Sequence, residues 1–286
     1  MKVTTLLCFF CFGLAYTQND HTNQLDEIVL RGNFSSLVNS GYQVNVISDS
    51  ILSENFEALG SLLQKQSNFY FKQNGNGMVS SISLRGTSAS QTGVYWNGIA
   101  INSALNGQTD FNSLQASGFD EVEIRKGGGS ALLGSGAIGG AVNLKDKVAF
   151  SSQRMLMMSL GAGSFNTYYG HLKALFSTEK LFFKIAGGVM NSKNDYPISG
   201  TDLKNDNGAF RNYNFSSTLA YRLNESHTIS LNTVLFDNDR NLSGTLSSES
   251  RAKLYNRDQR LLIDWKYLGN RYTSSLKAAF LYEDFT

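Results

Sequence analysis

A few groups of residues in this 286-residue chain have the types and spacing of chemical sites. Gly134-Ser135-Gly136-Ala137-Ile138-Gly139 matches G-x-G-x-x-G, the spacing with which a strand–turn–helix unit brings backbone N–H groups to a dinucleotide. The next residues, Ala141 to Leu144, read as a strand and not as a helix, so the stretch is a glycine-packed turn. Cys8 and Cys11 form C-x-x-C by spacing, but both lie in an apolar run, without the polar surround that activates a thiol or completes a metal site. His21, His171 and His227 are scattered, with no Ser/His/Asp or metal-ligand spacing. The chain reads as a non-enzyme with no covalently bound cofactor. It also has no phosphate-binding loop, so any work it does must draw on energy from a partner.

The elements that would position functional residues are strands. A single proline, 27 glycines, 13 tyrosines and 19 phenylalanines favour strands and glycine turns over capped helices. The net charge of +2 is spread without a basic run, which leaves no electrostatic footprint for nucleic acid. Lys2, the apolar run Leu6 to Leu14 and the small or polar residues Ala15 to Thr17 have the layout of a secretory signal peptide over 1–17. Cleavage after Ala15 and after Thr17 both suit it; a lipid anchor on Cys11 would have Phe9 and Phe10 as poor neighbours. No later segment is apolar enough over about 18 residues to span a bilayer as a helix, so any membrane insertion must be as a closed β-barrel.

Residues 18–32 are polar and then extended: Asp26, Glu27, Ile28, Val29, Leu30 and Arg31 suit a peptide added to another protein's sheet edge, or a first edge strand of the next domain. Tyr42 to Ile47 reads as a strand. A single helix is then expected, opened by Ser53, with Glu54 and Glu57 in its first turn and Phe56, Leu59, Leu62 and Leu63 on one apolar stripe. Strands are expected around Phe71, Ser81–Leu84, Val94–Trp96, Val122–Arg125 and Ala141–Leu144, with turns at Asn74-Gly75-Asn76-Gly77 and Asn97-Gly98. This is an α+β domain over 33–148. From Met155 the texture becomes long period-two segments: Tyr213, Phe215, Leu219 and Tyr221 oppose Asn214, Ser216, Thr218 and Arg222, and similar runs continue to Tyr282. These are antiparallel strands of about ten residues, long enough to cross a bilayer when tilted, over 153–286. Short turns (Ser177–Lys180, Leu223–Ser226, Leu268–Asn270) alternate with long loops (Lys193–Asn212, Asn238–Leu254), as in an outer-membrane barrel. A soluble sandwich would alternate too, and a secreted structural or adhesive β-protein is the rival of another class. About seven strands are countable, against about 22 in a plugged transporter barrel, so the barrel reads as incomplete.

The stretch SISLRGTSASQTGVYWNGIAINSA with GFDEVEIRKGGGSALLGSGAIGGAVNL resembles the plug domain of TonB-dependent outer-membrane receptors. Its arginines stand just before glycine, at Arg85-Gly86 and Arg125-Lys126-Gly127. The resemblance implies uptake of a scarce nutrient through the cell outer membrane, with Asp26 to Arg31 as the TonB box, a periplasmic TonB-type protein as energy-coupling partner, and outer-membrane lipid around a monomeric barrel. It implies that Arg85 and Arg125 pair with glutamates on the barrel wall, beyond Thr286. QNGNGMVSSISLRGTSASQTGVYWNGIAIN with the short loop Gly163 to Asn166 is similar to cobalamin receptors; a ferric siderophore or haem receptor shares the architecture. By that analogy Asn74, Gly75, Asn76, Asn102, Ala104 and Asn106 would touch the small-molecule ligand, cobalamin or a metal chelate. Calcium would bind oxygen ligands on the outer loops, at Asp195, Asp206, Asp237 and Asp239.

Overall fold

The computed structural model describes residues 43–286, except 56, 67–69, 74, 76, 85, 128–133 and 246. The leader, the Asp26 to Arg31 strand, Arg85, Asn74 and Asn76 lie outside the described residues. The described residues belong to one compact unit, Gly41–Thr286.

The first layer is a small α+β domain. Strands β1 (Val44–Ser48), β4 (Thr92–Trp96), β5 (Ile99–Ala100), β6 (Glu121–Lys126) and β7 (Gly140–Lys145) form one sheet in the order β1-β6-β7-β4-β5, and β2 (Tyr70–Gln73) pairs with β3 (Ser80–Ser83). β4 and β7 run parallel, every other pairing in the larger sheet being antiparallel. All of β4 is buried, which suits a strand covered on both faces. The β4–β5 turn puts Asn97 at φ 47 and Gly98 at φ 86, the two left-handed residues of a tight hairpin.

In place of one helix there are two: α1 (Asp49–Glu54) and α2 (Leu59–Gln66). Ser53 is not a cap. It lies inside α1, its hydroxyl donates to Asp49 at 2.6 Å, and Ser48 takes the N-cap position. Between the helices Asn55 Nδ2 donates to the Ile51 carbonyl at 2.7 Å, closing α1. The orphan N–H groups at the start of α2 are met from another segment: Leu59 donates to Leu114 O at 2.7 Å and Gly60 to Phe111 O at 3.0 Å. Tertiary carbonyls thus replace a side-chain cap. The stripe Leu59, Leu62 and Leu63 is buried as the periodicity requires.

The second layer is a seven-stranded antiparallel meander: β8 (Gln153–Gly163), β9 (Thr167–Ser177), β10 (Leu181–Ser192), β11 (Phe210–Arg222), β12 (His227–Asn241), β13 (Lys253–Leu268) and β14 (Thr273–Phe285). Each is long enough to cross a bilayer at a tilt. Residues 178–180, 223–226 and 269–272 make short connections at one end, and 164–166, 193–209 and 242–252 join the strands at the other. β12 and β13 extend further than expected, so Asp237 and Asp239 belong to a strand and not to a loop.

The polarity of this wall is inverted relative to a soluble sheet. Leu156, Leu219, Leu235, Ile263 and Trp265 are exposed, while Lys173, Lys184, Thr218, Asn232, Arg240, Asn256 and Asp264 are buried on the other face. A soluble sandwich needs the opposite arrangement, and an outer-membrane barrel needs this one. Some inward apolar residues, Val234, Phe236 and Leu262, continue the core of the α+β domain into the wall.

Candidate functional site

The chemistry concentrates where the α+β domain meets the inner face of the wall. Toward the short connections, the inner faces of β9 and β10 each project one lysine, Lys173 and Lys184, both 1% exposed. Lys173 Nζ donates to Asp49 Oδ1 at 2.6 Å, Ser53 Oγ at 3.0 Å and Asp120 Oδ1 at 3.1 Å. Lys184 Nζ donates to Asp120 Oδ2 and, at 2.9 Å, to Asp146 Oδ1. Asp120, at the start of β6, also accepts the Lys147 N–H at 2.9 Å. Burial pushes the Asp120 carboxyl up, but Lys184 and Lys173 beside it more than offset this and hold it below the usual carboxylate range. Asp146, just past β7, accepts from Trp96 Nε1 and Asn97 Nδ2, each at 2.9 Å. One cluster therefore ties α1, β6, the β4–β5 turn and the end of β7 to two wall strands. Close by, Ser117 Oγ lies 2.7 Å from His171 Nε2 on β9.

Toward the long loops a second clamp forms. Arg240 Nη1 on β12 donates to Asp110 Oδ2 at 2.5 Å, and Asp110 Oδ1 accepts the N–H groups of Ser80 and Asn112. Ser103 Oγ donates to Glu283 Oε2 on β14 at 3.0 Å, and on β13 Arg260 pairs with Asp258 at 2.8 Å. Buried charges survive only with such partners.

Of the expected site residues, Arg125 lies on β6, 4% exposed, opposite Val44 and Ala141. In the ion pairs between the domain and these seven strands, the α+β domain supplies the carboxylates and the strands supply the cations; they are a different set from the pairs expected of Arg85 and Arg125. Asn102 is committed to its own loop, accepting from Val94 N at 2.8 Å and donating to Thr92 O and Gly107 O at 3.0 Å each. Ala104 and Leu105 beside it line a cavity of about 720 Å³ with Arg260, Leu281, Tyr282 and Glu283. Asn106 braces the same turn by accepting from Gln108 N at 2.9 Å, and Gly75 sits at φ 127.

Among the described residues no three His, Cys, Asp or Glu side chains stand together, and the four aspartates expected to hold calcium have separate surroundings. Asp237 accepts from Tyr255 Oη at 2.8 Å and Arg257 Nη2 at 2.9 Å, Asp239 lies 3.8 Å from Arg211, and Asp195 and Asp206 are exposed. Asparagines order the outer loops. Asn205 Nδ2 donates to Asn194 O at 2.8 Å, and Asn207 Nδ2 bridges to Leu242 O at 2.8 Å and Ala252 O at 3.2 Å, tying the two long loops together.

A family model described as the TonB-dependent Receptor Plug Domain matches residues 19–141, from ahead of the described residues into β7. Over those residues the chain carries a TonB-dependent receptor plug domain. Among similar proteins of this kind, the vitamin B12 transporter BtuB of Vibrio cholerae serotype O1 is 28% identical over 227 residues, 77% of this chain and 36% of that protein. BtuB of Vibrio vulnificus is 30% identical over 215 residues, 71% of this chain and 32% of that protein. The chain thus spans about a third of the length of these relatives. Among solved structures, the copper transporter OprC aligns with TM-score 0.69 at 17% identity, over 85% of this chain and 37% of that one. The ferric yersiniabactin uptake receptor FyuA from Yersinia pestis aligns with TM-score 0.66 at 19% identity, over 85% and 41%. In this receptor family's terms the α+β domain is the plug and the meander the first wall strands.

Proposed function

We propose that this chain supplies the plug and first wall strands of an outer-membrane receptor that takes up a scarce nutrient, with cobalamin as substrate. The observation that carries the import reading is the interface. A plug held in a polar inner wall by buried ion pairs obstructs the path, and it must move, at a cost, for anything to pass. With no nucleotide site in the sequence, the work must come from outside, and Asp26 to Arg31 is the strand that a periplasmic TonB-type protein would capture by strand addition. Similarity to vitamin B12 transporters on the sequence side favours cobalamin. A ferric siderophore receptor is the second reading, favoured by the yersiniabactin receptor among the structural neighbours.

The test uses the full-length receptor in cells that lack their own cobalamin importer. Labelled cyanocobalamin is expected to bind at the surface and accumulate only in energised cells, and Val29→Pro, which removes a backbone donor from the coupling strand, should abolish accumulation and keep surface binding. Binding of ferric chelates in place of cobalamin overturns the substrate, and normal uptake by Val29→Pro overturns the coupling strand. Running the binding arm with and without calcium decides whether Asp195 and Asp206 recruit a cation when ligand is bound.

A further inference from the structure

Across the loop-side part of β11, β12 and β13 the register sets three asparagines side by side: Asn212 opposite Asn238, and Asn238 opposite Asn256. Neighbouring strands stand about 4.8 Å apart, so the three carboxamides span about 10 Å of the inner wall. Asn238 is 1% and Asn256 2% exposed, yet neither amide atom of Asn238, nor Oδ1 of Asn256 or of Asn212, meets a partner among the described residues. The flanking charges are only half used. Arg240 gives Nη1 to Asp110 and leaves Nε and Nη2 unused; Asp258 gives one oxygen to Arg260 and leaves the other. The plug stands over the row, since Gly77 packs against the Phe210 ring on one side of it and Asn214 Nδ2 donates to Gln115 at 3.3 Å on the other.

A buried carboxamide without a partner costs about 1–3 kcal/mol, and leucine in its place would cost nothing of the kind. A row of them on a wall the plug covers is therefore a site for something that arrives when the plug withdraws. We infer that Asn212, Asn238 and Asn256 form a transit site which the solute contacts after leaving the outer loops, once Asp110 has let go of Arg240. The inference rests on the import reading. It also names the solute's chemistry: carboxamides, each both donor and acceptor, suit a solute rich in amide or hydroxyl groups.

Asn238→Leu and Asn256→Leu, singly and together in the full-length receptor, test this, with Asn238→Ser and Asn256→Ser as variants that keep a hydrogen-bonding group. Heat-modifiable gel migration verifies that each wall has folded. Surface binding of labelled cyanocobalamin is expected to match wild type, while energised uptake falls about tenfold in the double leucine variant, the size of one hydrogen bond lost in a desolvated site, and the serine variants retain most of it. Normal uptake by the leucine variants overturns the transit row, reducing it to a holder of water, and leaves the import reading standing. A wild-type receptor that imports only a solute poor in amide and hydroxyl groups overturns that assignment, independently of the variants.

Discussion

Lys184 sits in the run Leu181-Phe182-Phe183-Lys184-Ile185, and alternation turns Phe182 and Lys184 inward while Phe183 faces out. A lone lysine on the covered face of an apolar strand must have an acid opposite, and it has two, Asp120 and Asp146. Lys184→Met should therefore destabilise plug docking by about 3–5 kcal/mol, since it strands Asp146 in the interface. The same change made with Asp146→Asn should cost clearly less than the sum of the two, which thermal unfolding of the full-length receptor in detergent would show as a coupling energy. Asp120 sets the pH dependence of this clamp. Its carboxyl is held below its unfolded value, so its contribution is complete above the ordinary carboxylate range and is lost as pH falls through the depressed folded value. Protease sensitivity of the plug should stay flat from neutral pH to that range and rise only below it; a rise near neutrality would take the clamp away from Asp120. Motifs and loops in the sequence do not point to these residues, and the inward register of single charges such as Lys184 and Arg240 is the signal that does. The expected plug arginines, Arg85 and Arg125, concern other contacts, and charge pairing alone does not say which side of a given pair carries which sign.

At the scale of elements the wall was legible because its alternation is long and strict. The countable strands, the Asn97-Gly98 hairpin and the alternation of short and long connections are all present. What the sequence blurred depends on distant partners. The break between α1 and α2 is held by carbonyls of Phe111 and Leu114, far along the chain, and the extension of β12 through Asp237 and Asp239 depends on pairing with Tyr255 and Arg257 across the ladder. The outward face of β13 reads Leu261, Ile263, Trp265 above Tyr267, with Gln259 and Arg257 beyond, so Ile263 lies near the middle of the apolar belt. Ile263→Arg should cost about 2–4 kcal/mol, and Gln259→Arg on the same face about 0–1 kcal/mol, because the penalty falls away from the bilayer midplane. Urea titration of the receptor folded into lipid vesicles measures both, and equal costs would mean that this face does not meet hydrocarbon.

The whole molecule poses one mechanical question, whether the plug must part from the wall for uptake to occur. The structure offers a place to ask it. A β-carbon on Gly118 would stand 3.6 Å from Ser216 Oγ on β11, and no positive φ bars a side chain there. Such spacing suits a disulfide. No cysteine occurs after Cys11 in these 286 residues, so a Gly118→Cys, Ser216→Cys pair would meet no other thiol among the described residues. Built into the full-length receptor, the oxidised pair is expected to bind ligand at the surface as wild type does and to take none up, with uptake returning on reduction. Because the bond joins the 3₁₀ turn ahead of β6 to the wall between the two charged clamps, it holds that part of the plug to β11 even if Lys173, Lys184 and Arg240 all lose their partners. Full uptake with the bond closed would mean that a path opens elsewhere in the plug. It would also separate the two clamps in function, leaving Asp110 with Arg240 as the contact whose release matters.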